Sequence, residues 1–158
     1  MMNQTQNEPT DGLNTLRDAF SQLTPVREDY PLLPIEHGFN WDECTEGLQI
    51  PQLYLVVFRS IRRVDADVER LRWFDDRAFD DASQAPGFLF YFKGQATPGR
   101  ACLSFCLWKT RQLARSASDR PAHAEAASLV AEMYETYDLE RHRLYARDAR
   151  LVFERLPG

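Results

Sequence analysis

The spacing of hydrophobic positions changes several times along the chain, and each change predicts an element. Leu13, Leu16, Phe20 and Leu23 recur at three- and four-residue steps, which predicts a short amphipathic helix ending before Pro25. Pro25, Pro31, Pro34 and Pro51 divide the next stretch into extended and turning pieces. Within it, Gly38-Phe39-Asn40-Trp41-Asp42-Glu43 carries an aromatic pair that a plain linker has no use for, so an arm packed over an edge or a pocket mouth is expected. Leu53 to Ile61, rich in β-branched and aromatic residues, predicts a first strand. From Asp65, a suitable N-cap, the period turns helical through Val68, Leu71, Phe74 or Asp75, Ala78 and Ala82, with Pro86-Gly87 as the stop. Phe88 to Gly94 predicts a second strand in which Phe88, Phe90 and Phe92 alternate with Leu89, Tyr91 and Lys93. After a Thr97-Pro98-Gly99 turn, Ala101 to Trp108 predicts a third, with Leu103, Phe105 and Leu107 on one face and Cys102, Ser104, Cys106 and Trp108 on the other. A short helix over Thr110 to Ala117 precedes a second main helix from Pro121 to Tyr134, with Ala122, Ala126, Leu129, Val130 and Met133 as its buried stripe. Leu139 to Tyr145 is the fourth strand, and Leu151 to Phe153 a small closing one.

Strand, helix, strand, strand, helix, strand is the order of a ferredoxin-like α+β sandwich, with both helices on one face of a four-stranded antiparallel sheet. Strands one to three carry large apolar groups on both faces, so the face without helices also needs a cover. Association of two copies across the sheet, a homodimer, is the expected solution, because a bare patch of several strands exceeds what soluble monomers expose.

Composition divides the chain in two. The first 50 residues hold nine acidic side chains against Arg17 and Arg27, whereas the rest is nearly balanced. The expected organisation is an acidic N-terminal arm over residues 1–50, disordered from Met1 to about Gly12, and an α+β body over residues 51–158. The body has no basic stripe for a phosphate backbone, so nucleic acid is not an expected partner. No apolar run is long enough to cross a bilayer and no signal-peptide pattern opens the chain, so no membrane association and a cytoplasmic location are expected. Cys44, Cys102 and Cys106 have neither disulfide nor zinc spacing. On one strand Cys102 and Cys106 would lie about 13 Å apart, beyond disulfide reach. His37, His123 and His142 are too scattered for a metal site, and no glycine-rich phosphate loop is present.

The opening strand Leu53–Ile61, the junction Ala85-Pro86-Gly87-Phe88 and the stretch Leu103-Ser104-Phe105-Cys106-Leu107-Trp108-Lys109-Thr110 resemble the dimeric α+β barrel superfamily, in particular its antibiotic-biosynthesis-monooxygenase-like group. A tryptophan ends the third strand in many members, and Ser118 to His123 resembles the place where many carry a histidine at the start of the second helix. The resemblance covers about residues 53–146 and implies a dimeric barrel. Its members include cofactor-independent oxygenases acting on aromatic substrates, haem-degrading enzymes and proteins without known activity. Haem is therefore an alternative cofactor. The step of fifteen positions from Trp108 to His123 is shorter than in the haem-degrading members, which favours no cofactor.

These residues give the candidate chemistry. Trp108 either stacks on a planar ligand or plugs the sheet end. His123 can move a proton near neutral pH or simply cap a helix. Arg59 would bind a carboxylate or stabilise an enolate if its side chain points to the uncovered face with Leu55 and Val57; otherwise it forms a salt bridge, with the acidic arm a candidate partner. Ser104 and Cys106 share the face of Trp108, and Tyr91 is a further candidate for lining the same cavity. Asp75, Asp76, Asp80 and Asp81 read as a solvated helix face. The expected function is a small homodimeric monooxygenase-like enzyme for a hydrophobic or aromatic molecule, with Arg59 and His123 catalytic and Trp108, Ser104, Cys106 and Tyr91 binding substrate. The alternative is a noncatalytic dimeric ligand-binding or accessory protein.

Overall fold

The computed structural model describes residues 8–157. Its order is α1 (Glu8–Phe20), α2 (Ile35–Gly38), α3 (Trp41–Thr45), β1 (Leu53–Arg62), α4 (Val68–Ser83), β2 (Phe88–Phe92), β3 (Ala101–Trp108), α5 (Arg111–Ser118), α6 (Pro121–Ser128), α7 (Val130–Met133), β4 (Tyr134–Arg147) and β5 (Arg150–Arg155). The strands form one open antiparallel sheet in the order β2-β3-β1-β4-β5. This is the expected ferredoxin-like α+β arrangement, with β5 added as a hairpin on β4. Of the segment Met1–Gly12 expected to be disordered, residues 1–7 lie outside the described residues; from Glu8 the backbone is helical.

Local chemistry accounts for the boundaries that differ from expectation. Asp67 and not Asp65 caps α4, its carboxylate accepting from the Arg70 amide at 3.1 Å. Thr110 caps α5 in the same way. β2 leaves its ladder after Phe92 because the Gly94 amide donates to Ser104 Oγ at 3.0 Å. A Cβ at Gly94 would collide with the Leu103 carbonyl oxygen, so this approach requires glycine. The expected helix over Pro121–Tyr134 breaks into α6 and α7, and Tyr134 already belongs to β4.

Two register shifts change which face side chains occupy. One lies between Phe88 and Phe90, paired with Trp108 and Leu107. The simple alternation of β2 is thereby lost: Phe88 and Tyr91 stand on the helix side, whereas Leu89, Phe90 and Phe92 pack in the core on the other. The second lies at Ile61/Arg62 and pairs Arg62 with Tyr134, turning Tyr134 to the same side as Tyr137.

Helices α4 to α7 lie over one sheet face, laced together by Arg77–Glu125 (2.9 Å) and Arg120–Asp81 (3.1 Å). The other face carries Leu53, Leu55, Val57, Leu103, Phe105, Leu107 and Leu144, all buried. Its cover is the arm: Leu16, Phe20, Leu23, Ile35, Phe39 and Trp41 join these residues in one core. Trp41 lies 5.3 Å from the Phe105 ring and 5.1 Å from Phe153, while Phe39 contacts Phe92 at 4.8 Å and Phe105 at 5.0 Å. Each such large side chain contributes about 1.5–3 kcal/mol on burial, which is why this face cannot stay bare. The expectation of a second copy over this face rested on its being uncovered; within one chain the arm already covers it.

Polar contacts hold the arm in place. Arg59, on the arm side of β1, donates to the carbonyls of Pro31 (2.8 Å) and Leu33 (2.7 Å) and pairs with Glu140. Glu140 also meets His142 Nε2 at 3.3 Å and Arg155 at 3.9 Å. Burial pushes the Glu140 carboxyl up, but the hydrogen bond and charge of Arg59, helped by His142 and Arg155, outweigh it and hold the group below its ordinary range. At the other end of the arm Arg17 reaches the Phe88 carbonyl at 2.9 Å.

Candidate active site

Between the helices and the sheet lies a cavity of about 310 Å³. Its floor is the second face of β1 and β3: Tyr54, Val56, Phe58, Ser60 and Arg62 from β1, and Cys102, Ser104, Cys106 and Trp108 from β3. The period of two in these strands sends these side chains away from the arm. Its roof comes from α4 (Leu71, Asp75, Ala78, Phe79, Ala82), α5 and α6, and β4 closes one flank with Tyr137, Leu139 and Arg141. Small residues leave the space: Ala78, Ala82, Ala114, Ala117, Ala126 and Ala127 all face it. A broader recess of about 430 Å³ lies between Leu139–Arg141 and Arg155–Pro157, but only two chain segments wall it, so the helix–sheet cavity is the better ligand site.

One end is aromatic. Trp108 is buried against Tyr54, Ala85 and Ala117, with the Phe88 ring edge-on at 5.4 Å. Its indole N–H donates to Cys106 Sγ at 3.1 Å. Burial pushes the Cys106 thiol up to about 12 against the opposing effects of Trp108 and the Val56 backbone, and burial likewise raises Cys102. Both thiols therefore stay protonated, which removes them as nucleophiles. His123, from the first turn of α6, lines the same cavity. Burial lowers its pKa, with Asp119 and the Ser118 backbone opposing, so the ring is neutral at pH 7.

The other end is polar. Tyr91 shares a hydrogen bond with Ser104, and burial raises its pKa strongly. Burial also raises Tyr137, and takes Tyr134 up to about 12. All three phenols are hydroxyl donors at neutral pH. Asp75 reaches this end from α4; burial lifts its carboxyl above the ordinary value of 3.8, Lys93 and Arg62 oppose the rise and Asp76 adds to it. Lys93 is itself engaged by Asp76 at 2.7 Å.

The structure thus gathers Trp108, His123, Ser104, Cys106 and Tyr91 around one cavity. Arg59 is not with them. Its side chain points with Leu55 and Val57, as anion binding on that face requires, but the arm covers that face and Pro31, Leu33 and Glu140 occupy the guanidinium. Arg62, three residues on, has the opposite parity and faces the cavity. The sequence reading misses Asp75, Arg62, Tyr134 and Tyr137. For Asp75 the signal is its place at four-, three- and four-residue steps in the series Leu71, Asp75, Ala78, Ala82, which all face the cavity. For Arg62 it is parity with Phe58 and Ser60. Tyr134 becomes visible only once α7 ends.

A cavity of about 150 Å³ holds one benzene, so this one suits a ligand of about two rings. A four-pyrrole macrocycle does not fit it. Among the described residues no three His, Cys, Asp or Glu side chains gather as a metal site, and no helix is long and apolar enough to cross a membrane.

Known proteins resemble the chain mainly in fold. No curated protein matches it. SnoaB from Streptomyces nogalater, described as a cofactor-independent oxygenase, matches with a TM-score of 0.51 at 14% identity over 62% of this chain and 96% of that one. Rv0793 from Mycobacterium tuberculosis gives 0.51 at 18% identity, over 56% and 91%. A candidate antibiotic biosynthesis monooxygenase from Nitrosomonas europaea gives 0.52 at 13%, over 64% and 97%. Each relative is matched almost completely, while more than a third of this chain is unmatched, enough to contain the whole arm. These likenesses establish the ferredoxin-like α+β fold. A family model matches nearly the full length, residues 3–155, and on that match the chain belongs to the PB2B2.08-like family.

Proposed function

We propose that the protein is a small cofactor-independent monooxygenase-like enzyme acting on a compact hydrophobic or aromatic molecule held between helices and sheet. The observation that carries this reading is the cavity itself: an aromatic wall at Trp108 and Phe88, protonated hydroxyl donors at Tyr91, Tyr134 and Tyr137, and a neutral His123 on one space of about 310 Å³. The fold shared with SnoaB, described as a cofactor-independent oxygenase, supports the same class of chemistry.

In this reading Trp108 stacks on the ring system and His123 accepts a proton from an activated ring CH₂, leaving the electron pair on the substrate. The substrate then supplies electrons to dioxygen. One oxygen atom ends as a ring carbonyl, the other leaves as water with the two hydrogens of the CH₂, and no external reductant is consumed. Oxygen uptake with two-ring substrates that carry an activated ring CH₂, such as a tetralone or the keto tautomer of a naphthol, tests this. Replacing His123 by Ala or Trp108 by Phe should lower turnover about 10-fold or more; unchanged rates in both would remove these roles. Tight binding without oxygen uptake would favour the noncatalytic binding reading.

For the assembly, the sequence reading is a homodimer. The arm supports a different proposal, a monomer, because it covers the face over which a second copy is expected from the sequence. Light scattering distinguishes the two, with a mass near the 18.4 kDa of one chain expected and twice that contradicting it.

A further inference from the structure

Arg62 and Asp75 face the polar end of the cavity, one from the strand floor and one from the helix roof, and the chemistry above uses neither. The main chain of Arg62 is fixed by Arg100: its amide donates to the Arg100 carbonyl at 3.2 Å and its own carbonyl accepts from Arg100 Nη1 at 2.7 Å. Its guanidinium shares a hydrogen bond with the Tyr134 hydroxyl, yet its Nε is buried and no partner reaches it. A buried donor left unpaired is costly, and it points to an acceptor that the protein does not supply. Asp75 is close enough to sense the charge of Arg62, but the two form no ion pair within 4.0 Å.

A donor without an acceptor and a desolvated carboxylate therefore share one end of an otherwise apolar space. A ligand carboxylate there would be repelled by Asp75, and a ligand amine by Arg62. A hydroxyl satisfies both, since its hydrogen points to Asp75 and its oxygen faces the Arg62 guanidinium, which lines the cavity. We infer that Asp75 is a proton acceptor and Arg62 an oxyanion holder for a one- or two-ring ligand carrying an acidic phenolic or enolic hydroxyl; this rests on the cavity being the ligand site. The ligand O–H bond breaks, its electron pair stays on the ligand oxygen beside Arg62, and the proton passes to the Asp75 carboxylate, leaving the net charge of the site unchanged. Burial raises the proton affinity of Asp75 and of a ligand oxygen alike, so it is the Arg62 charge beside that oxygen that favours the transfer. The other titratable groups facing this end are Tyr91, Tyr134, Tyr137, Cys102 and Lys93; burial keeps the phenols and the thiol protonated, and Asp76 engages the lysine.

The test uses 7-hydroxycoumarin, whose neutral and ionised forms absorb differently, and 7-methoxycoumarin, which has no proton to give, with the full chain at about pH 6. Wild-type protein should bind the hydroxy probe with the anion band present at a pH where the free probe is neutral. Asp75→Asn should abolish that band and weaken the hydroxy probe about 10-fold while leaving the methoxy probe unchanged. Arg62→Met should abolish the band as well, and Arg62→Lys should restore part of it. Thermal unfolding of each variant separates loss of the site from loss of the fold. Binding of both probes with no anion band, or an anion band that survives Asp75→Asn in folded protein, overturns this inference and leaves the cavity reading intact. Failure of wild type to bind either probe overturns the cavity reading and this inference with it.

Discussion

The two faces of this sheet differ in kind although the same strands supply both. On the arm face, Leu55, Val57, Leu103 and Phe105 have no exposed surface, and the arm's aromatic rings fill the space above them. On the helix face, β1 and β3 present Ser60, Arg62, Ser104 and Cys106 to helices whose inner positions are largely alanine, and a cavity remains. One face is filled by the arm's side chains and the other retains a cavity. The lesson is that parity along a strand separates structural from chemical residues: Arg59 and Arg62 are the same residue type on one strand, yet one clasps the arm and the other faces the cavity.

The contrast can be broken most forcefully at Trp41. Replacing it with Ala should cost about 3–5 kcal/mol, because the cavity created sits in a core that cannot collapse around it. Chemical denaturation measures this, and a cost below about 1 kcal/mol would mean that the arm is not a structural cover. Next comes the clasp. Arg59→Met leaves Glu140 largely buried without its main partner and should cost up to about 3 kcal/mol. Acid should act in the same direction. Because the folded state holds Glu140 below its ordinary 4.5, the stability it contributes is full above pH 4.5 and is lost as pH falls below that value through the lower folded one. Proteolysis within residues 21–34 should then quicken in wild type below about pH 4.5 and show less acid dependence in Arg59→Met. No change in cleavage with pH would contradict the clasp.

A matched pair of small-to-large substitutions sharpens the comparison at lower energy. Val57→Leu, on the solid face, should cost about 1–3 kcal/mol by overpacking. Ala78→Leu, at the cavity, should leave Tm within a few degrees and weaken coumarin binding more than 10-fold by filling the space. Equal stability losses in the two variants would erase the distinction. The smallest effect is expected at the β4–β5 turn, where Asp148 and Ala149 have φ of 51° and 61°. Ala149→Gly should raise stability by about 0.5–1 kcal/mol by relieving a left-handed alanine, without altering ligand binding.

Much of the fold is legible in the sequence because its signals are local. The clean alternation of Leu103, Phe105 and Leu107 against Cys102, Ser104, Cys106 and Trp108 yields β3 and both its faces. Thr110 and Pro121 mark helix starts by their own chemistry. What escapes depends on events elsewhere in the chain. The Phe88/Phe90 shift arises from pairing with β3, and the Ile61/Arg62 shift from pairing with β4. Periodicity within one strand carries no trace of either. The need for a cover over the second face follows from composition, but that the cover is the chain's own arm depends on where Phe39 and Trp41 land, some distance in sequence from Phe105 and Phe153. Asp75 sits among other acidic residues, and its place on the stripe of Leu71, Ala78 and Ala82 is what sets it apart from them.

The most direct test of the central claim, that the arm face is a sealed structural layer and the helix face is the ligand site, is a crystal structure of the full chain with 7-hydroxycoumarin. The account predicts ligand density between α4 and the β1–β3 floor, with the coumarin hydroxyl at Arg62 and Asp75 and Trp41 still seated on Phe105. Density beneath the arm, with Trp41 displaced and the helix–sheet cavity closed, would contradict it.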